Sequence, residues 1–599
     1  MSNHEKDFKQ TISYDEAKLE EGQINTIETT TESQTRLERF KNSFKPADLS
    51  QYEDQNLTPV EKAALATANS PLSRSLKGRH LQMIAIGGSI GTGLFVGSGK
   101  ALSNGGPASL LIAFSLIGIM LYCTIQALGE LSVRFPVSGA FATFSTRFID
   151  PAWGFAMGWN YAIMWLVVFP LEVVAASITI QYWNTTTNPA VWAAIFYIVI
   201  VVINLFGVKG YGEAEFVFSL IKVVAVIGFI ILGIIINCGG GPQGGYIGGA
   251  YWQDPGAFNH GFKGLCSVFV TGAFSFTGTE LVGLASAETE NPRKTLPSAC
   301  KQVFWRITLF YLISLTMVGL LVPYDDPQLL GASSVDVAAS PFVIAIRNAG
   351  IKILPSIINA VVLIAVLSVG NSAVYGCSRT VAALAAQGHA PKILAYIDRE
   401  GRPLFGIMLS SIVGLLCFVT ASDKQNEVFA WLLSLTGLSS IFTWGSICLC
   451  HIRFRAALRA QGRTTEELAF ASQVGVIGSY FGLIFNCLVL VAQFWTGLFP
   501  LGGSGADAKN FFQSYLAAPI VIVCYAAFKI IKRPRFQDLK TMDLDTGRRE
   551  IDFELLKQEI AEEKAYLASK NFLYRTYKFW CWFFDTFSFY INISSMRYW

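Results

Sequence analysis

Apolar runs of about 20 residues, long enough to cross a bilayer as helix, recur from residue 81 to residue 532. They predict helices near 81–102, 108–130, 155–181, 190–208, 213–237, 263–287, 303–322, 353–378, 404–421, 427–450, 474–499 and 515–532. The chain is therefore expected to be an all-α polytopic membrane protein with twelve transmembrane helices, an even number that leaves both termini on one side. Residues 1–76 are polar and read as a disordered cytoplasmic tail, 77–533 as the twelve-helix region, and 534–599 as a cytoplasmic C-terminal tail. Within that last tail, Ile551, Leu555, Leu556, Ile560 and Leu567 recur at helical spacing, which predicts an amphipathic helix over Met542 to Ser569. Phe572 to Trp599 is aromatic and interrupted, a segment suited to the membrane surface, with Cys581 as a palmitoylation candidate.

Charge supports the topology. The predicted inner loops and helix margins carry fifteen cations: Arg134, Arg147, Lys209, Arg293, Lys294, Lys301, Arg306, Arg379, Lys392, Arg399, Arg402, Arg453, Arg455, Arg459 and Arg463. The outer ones carry six: Lys100, Lys263, Arg347, Lys352, Lys424 and Lys509. That bias is the positive-inside pattern. Of the 599 residues, 52% are apolar and 15% charged, well below the charged fraction of soluble domains. A net charge of +4, dispersed along the chain, gives no footprint for nucleic acid. No cleavable secretory signal is expected at the N-terminus. The eleven cysteines and five histidines show neither disulfide, metal nor triad spacing, so no metal, no cofactor and no enzymatic activity is expected.

Two of the apolar runs are interrupted. Met83 to Gly99 holds Gly87, Gly88, Gly91, Gly93, Gly97 and Gly99, each weakening a helix by about 0.5–1 kcal/mol relative to alanine. One explanation is a helix that breaks at Ile90 to Gly93, so that backbone N–H groups and a fresh helix N-terminus hold an anion. The other is a glycine face for close helix packing. The second interruption, Val270 to Gly283, lies five helices later. Two interrupted spans in corresponding places of two halves are the mark of a five-plus-five inverted repeat, with helices one and six broken around a midplane binding site. Helices eleven and twelve then lie outside the repeat.

Ionisable residues within the spans are costly and hence functional candidates. Glu280 directly follows the second break and suits a substrate ammonium or a proton relay; Glu172, after Pro170, suits either role. Lys222 places a buried ammonium where sodium-coupled transporters hold a cation, which favours proton coupling. Glu130 is either its partner or an interfacial carboxylate. Together these residues suit a zwitterion. A carboxylate is expected at the N–H groups of Ser89, Ile90, Gly91, Thr92 and Gly93, and an ammonium at the carbonyls of an unwound Phe274, Ser275 and Phe276. Selection of the side chain then falls to helices three, six, eight and ten.

Arg79-His-Leu-Gln-Met-Ile-Ala-Ile-Gly-Gly-Ser-Ile-Gly-Thr-Gly-Leu-Phe, Gly207-Val-Lys-Gly-Tyr-Gly-Glu-Ala-Glu-Phe, Phe274-Ser-Phe-Thr-Gly-Thr-Glu, Pro323-Tyr and Gly370-Asn-Ser resemble fungal amino-acid permeases of the amino-acid/polyamine/organocation superfamily. Asp545-Thr-Gly-Arg-Arg-Glu and Leu555-Leu-Lys-Gln-Glu-Ile-Ala-Glu-Glu-Lys bring the resemblance nearest to the general amino-acid permeases. The resemblance implies a plasma-membrane proton symporter importing L-amino acids of broad specificity, passing through Golgi, endosome or vacuole during sorting. It implies specificity contacts near Val168 and Thr436, and removal from the surface by ubiquitin-ligase adaptors acting at tail lysines such as Lys6, Lys9 and Lys18. The rival readings are a narrower amino-acid permease, a polyamine transporter, which has no need of the anion site, and a transporter-like nutrient receptor.

Overall fold

The computed structural model describes residues 38, 42–47, 70–88, 90–330, 340–421, 425–503, 505–548, 562, 565 and 569. Ser89, Lys6, Lys9, Lys18, Cys581 and most of the predicted C-terminal amphipathic helix lie outside the described residues.

Among the described residues the chain is helical, with two isolated β-bridges and no strand. The principal helices are α1 (Gly78–Gly87), α2 (Ser98–Arg134), α3 (Pro151–Ile180), α4 (Pro189–Leu205), α5 (Gly207–Asn237), α6 (Gly261–Phe276) and α7 (Pro292–Arg306). They continue with α8 (Leu354–Ala386), α9 (Leu404–Gly414), α10 (Gln425–Ala460), α11 (Gly475–Leu498) and α12 (Ala517–Lys532). A π-helical turn, Gly93–Gly97, leads into α2, and another, Ile307–Ile313, carries α7 on into Ser314–Leu321.

Every one of the predicted apolar windows falls on helix, but their partition differs. Among the described residues eight helices are long and apolar enough to span, and a ninth span is supplied if Ala508–Tyr515 and α12, bent by 63°, count as one. The difference arises at glycine and proline. Gly93–Arg134 runs as one 42-residue piece across the first two windows, turned at Gly106, whose φ of +77° only glycine adopts cheaply, just before Pro107. α1, at 10 residues, reaches about 15 Å, half a hydrocarbon core. α4 and Leu404–Val419 are apolar but short.

Local signals set several starts. Asp150 caps α3 by accepting the Ala152 N–H at 2.9 Å with Pro151 in the first turn, and Asn188 with Pro189 repeats the device at α4. The most extensive pairing is between α3 and α8, which cross through the centre of the molecule; α6 lies along α2, and α1 along α5.

Parts of both tails have defined places. Leu76 pairs its backbone with Glu288 and Glu290 beyond α6, and residues 42–47 pair with the loop Tyr396 to Arg402. Met542 to Arg548 forms turns rather than the start of a helix: Asp543 accepts the N–H groups of Asp545 and Thr546, while Met542 and Leu544 insert into the core. Burial alone would raise the Asp543 carboxyl, but Arg147, 3.9 Å away, and those N–H donors more than offset it and hold it below the usual carboxylate range. Arg134, Arg147, Arg306 and Arg379, counted above as marginal cations, are all buried; depth follows helix packing, not the end of an apolar window.

Candidate functional site

The first break falls between Gly87 and Gly93. The packing reading of its glycines has direct support. A Cβ on Gly93 would stand 2.3 Å from Ser275 Cα, and one on Gly91 2.4 Å from Val369 Cγ2. Glycine is thus required for contact with α6 and α8. The Ile90 N–H, one of the predicted anion donors, is bonded to Gly87 O at 3.0 Å, which leaves Gly91, Thr92 and Gly93 for that role.

The second break lies later than the sequence suggests. α6 runs through Phe276 and unwinds over Thr277–Glu280, because the chain turns at Gly278, φ +97°. Phe274, Ser275 and Phe276 therefore supply the last carbonyls of a helix, which lack intrahelical partners by position. Phe274 O accepts Thr277 N–H at 3.1 Å and Ser275 O accepts Tyr311 O–H at 2.7 Å, whereas Phe276 O accepts both Thr279 O–H at 2.7 Å and Thr279 N–H at 3.3 Å. A carbonyl has two lone pairs, so Phe274 and Ser275 remain able to accept and Phe276, one of the predicted acceptors, is already filled. The two breaks face each other: a Cβ on Gly278 would lie 3.3 Å from Gly88 O.

Between them is a small cavity of about 10 Å³, lined by Gly91, Thr92, Gly93, Trp165, Val168, Glu172, Phe274, Thr277 and Val369. That is room for about one water, so a larger solute fits only when the helices part. The rest of the wall comes from α3, α6 and α8. Thr436 of α10 is buried nearby but does not line it; its carbonyl accepts from Ser440, whose hydroxyl lies 2.8 Å from that of Thr277.

The four ionisable candidates are dispersed. Glu172, fully buried, accepts the Thr92 hydroxyl with Oε2, while its Oε1 has no partner among the described residues. A carboxylate thus faces the cavity across from the glycine break. Glu280, also buried, is set beside the cavity and held by donors: Tyr161 O–H at 3.3 Å, Trp444 Nε1–H at 3.2 Å and Gly278 N–H at 3.2 Å. Lys222 donates to Gly87 O at 2.5 Å and Ser368 Oγ at 2.8 Å and lies 3.4 Å from Glu215. Glu215, not Glu130, is therefore its partner. Glu130 instead is buried against Arg455 at 2.7 Å and His451 at 3.0 Å, and accepts Ser472 N–H at 2.7 Å.

Arg306 went unremarked except as a loop cation. From α7 its guanidinium donates to Ala85 O of α1 and to the Thr279 hydroxyl in the second break. Lys222 and Arg306 thus satisfy the orphan carbonyls at the C-terminal end of α1, the negative end of its dipole, and Arg306 bridges both breaks. Tyr161, Trp444 and Tyr311 were likewise invisible to a reading by charge, since their polar atoms matter only through partners more than 30 residues away in sequence.

Residues 80–541 match the amino acid permease family. The chain is 64% identical over 547 residues to the general amino-acid permease GAP2 of Candida albicans, covering 91% of this chain and 93% of that protein. It is 60% identical over 562 residues to the general amino-acid permease GAP1 of Saccharomyces cerevisiae, 92% of each, and 55% identical over 521 residues to the histidine permease of Saccharomyces cerevisiae, 86% of each. A multi-pass helical membrane protein built on two facing helix breaks, it belongs to the amino acid permease family.

Proposed function

We propose that the protein is a secondary active symporter that imports L-amino acids across the plasma membrane with protons, both termini cytoplasmic, on a five-plus-five inverted repeat. The observation that carries the reading is the small cavity between the breaks, where the Glu172 carboxylate faces the glycine break of α1 and the end of α6. A zwitterion fits that polarity: its carboxylate against Gly91 to Gly93 at the positive start of the π-turn and α2, its ammonium against Glu172 and the carbonyls of Phe274 and Ser275. Glu172 is then the group in direct reach of substrate, and Glu280 a buried carboxylate able to carry a proton one layer away. Lys222 holds the end of α1 with a fixed positive charge in place of a bound sodium ion.

Recognition through main chain leaves the side chain free, which favours broad specificity, in keeping with relatives that include general, histidine and tryptophan permeases. Trp165, Val168 and Val369 are the side chains that would limit it. Phe274 lines both this cavity and a larger one beyond it, so its side chain is the barrier that must swing aside. One proton moving with substrate gains about 2.3 kcal/mol per 100 mV and about 1.4 kcal/mol per pH unit, enough for several-hundredfold accumulation. Ubiquitin-ligase adaptors acting on Lys6, Lys9 or Lys18, and palmitoylation of Cys581, belong to the same reading. The test is uptake of each labelled amino acid into cells lacking their own permeases, at two external pH values. Accumulation that is independent of pH and driven by sodium refutes the coupling; failure to accumulate any amino acid refutes the transport.

A further inference from the structure

On the other side of Phe274 lies a cavity of about 220 Å³ between α2, α6, α10, α11 and the short helix Ala508–Tyr515. It opens at the end of α6 remote from Glu288, where the N-terminal segment docks, and so on the face opposite the tails. Its lining mixes apolar surface with polar groups, and its charge is of one sign. Lys100 is the charged residue in the wall, accompanied by Asn104, Ser434, Gln493 and Asn510, and among the described residues no carboxylate lines it. Among the described residues the Lys100 ammonium has no ion-pair partner, whereas its neighbours at the rim are engaged: Lys263 donates to Pro500 O at 3.1 Å and Asp507 accepts the Asn510 N–H at 3.0 Å. The volume is that of about seven waters, enough for the backbone of an amino acid, and Phe274 borders both this cavity and the inner one.

We propose that this vestibule is a first binding site for the incoming amino acid, in which Lys100 pairs with the α-carboxylate and sets a preference for anionic and zwitterionic over cationic side chains. The proposal rests on the amino-acid reading above. At the dielectric of water an ammonium about 4 Å from the α-carboxylate is worth about fivefold in affinity for every amino acid, and the opposite side-chain charges of aspartate and lysine, about 8 Å from the same ammonium, add a difference between those two of about fivefold.

The experiment is initial-rate uptake of labelled L-aspartate, L-leucine and L-lysine by the full-length protein and by Lys100→Met, Lys100→Glu, Lys100→Arg, Lys263→Met and Gln493→Asp. Lys100→Met raises the ratio of KM for aspartate to KM for lysine about fivefold, Lys100→Glu raises it further, and Lys100→Arg restores it, with rates at saturation retained. Gln493→Asp, which adds a carboxylate to the same wall and leaves Lys100 in place, shifts the ratio the same way and decides the matter if the Lys100 variants do not reach the surface. Lys263→Met leaves the ratio unchanged; an equal shift from it reduces the effect to a long-range field and overturns the site. Normal transport with unchanged ratios in all variants overturns the vestibule alone, and a parent protein that accumulates none of the three overturns the transport reading together with it.

Discussion

Replacing Gly93 by alanine isolates the contact on which the two broken helices depend. The added Cβ would stand 2.3 Å from Ser275 Cα, 2.8 Å from its Oγ and 2.9 Å from its Cβ. Ordinary contact begins near 3.4 Å, so the two backbones must separate by about 1 Å, and the nearest obstacle is main chain, which cannot rotate away. Overpacking of this kind costs about 1–3 kcal/mol or more. The displacement falls on the cavity wall, since Gly93 and Phe274 both line it, and a shift of about 1 Å at a binding site is enough to cost two orders of magnitude in turnover. Gly97 is the matched control, four residues on in the same turn, where a Cβ would meet the Thr271 methyl at 3.4 Å and Thr92 O at 3.8 Å, both ordinary contacts. Uptake per surface molecule, with surface expression measured by labelling, is expected to fall at least about tenfold for Gly93→Ala and to be nearly unaltered for Gly97→Ala. Equal, near-normal uptake by both variants refutes the argument that the first break is built for close approach to α6.

Glu172→Gln removes the cavity carboxylate while keeping its reach to Thr92; accumulation at acidic external pH should fall at least about tenfold, and Thr92→Val, which removes only the neutral donor, should fall less. Glu280→Gln should reduce proton-driven accumulation, read from labelled uptake with external alkalinisation, more than it reduces binding of a neutral amino acid; unchanged pH dependence makes Glu280 structural and leaves the coupling to Glu172. Lys222→Met strips the cap from Gly87 O and leaves Glu215 charged and buried, a loss of about 3–5 kcal/mol seen as reduced thermal stability of the purified protein. Lys222→Met with Glu215→Gln should recover much of that stability without recovering transport, and recovery of both counts against any coupling role for Lys222.

Hydropathy alone located the helical runs, and glycine spacing alone located both interruptions to within a few residues, because each is a local property: a bilayer demands about 20 apolar residues in a row, and a helix fails where glycine and a packing constraint coincide. The four intramembrane ionisable residues were equally legible, since a charge is conspicuous in an apolar run. Which of them faces the cavity was not. Glu172 and Glu280 are indistinguishable by burial; Thr92 meets the first and Tyr161 and Trp444 the second only because α3, α6 and α10 converge there. The sequence left Glu130 as either a partner of Lys222 or an interfacial carboxylate, yet Lys222 lies two turns from Glu215 on its own helix, and Arg306 was counted among the cations of loops and helix margins although it spans both breaks. A sequence reports the periodicity of one helix at a time. The partners of Glu280 and Glu130, by contrast, are brought by the crossing of helices more than 100 residues apart, where desolvation makes an unpaired group so costly that packing favours the arrangement that pairs it.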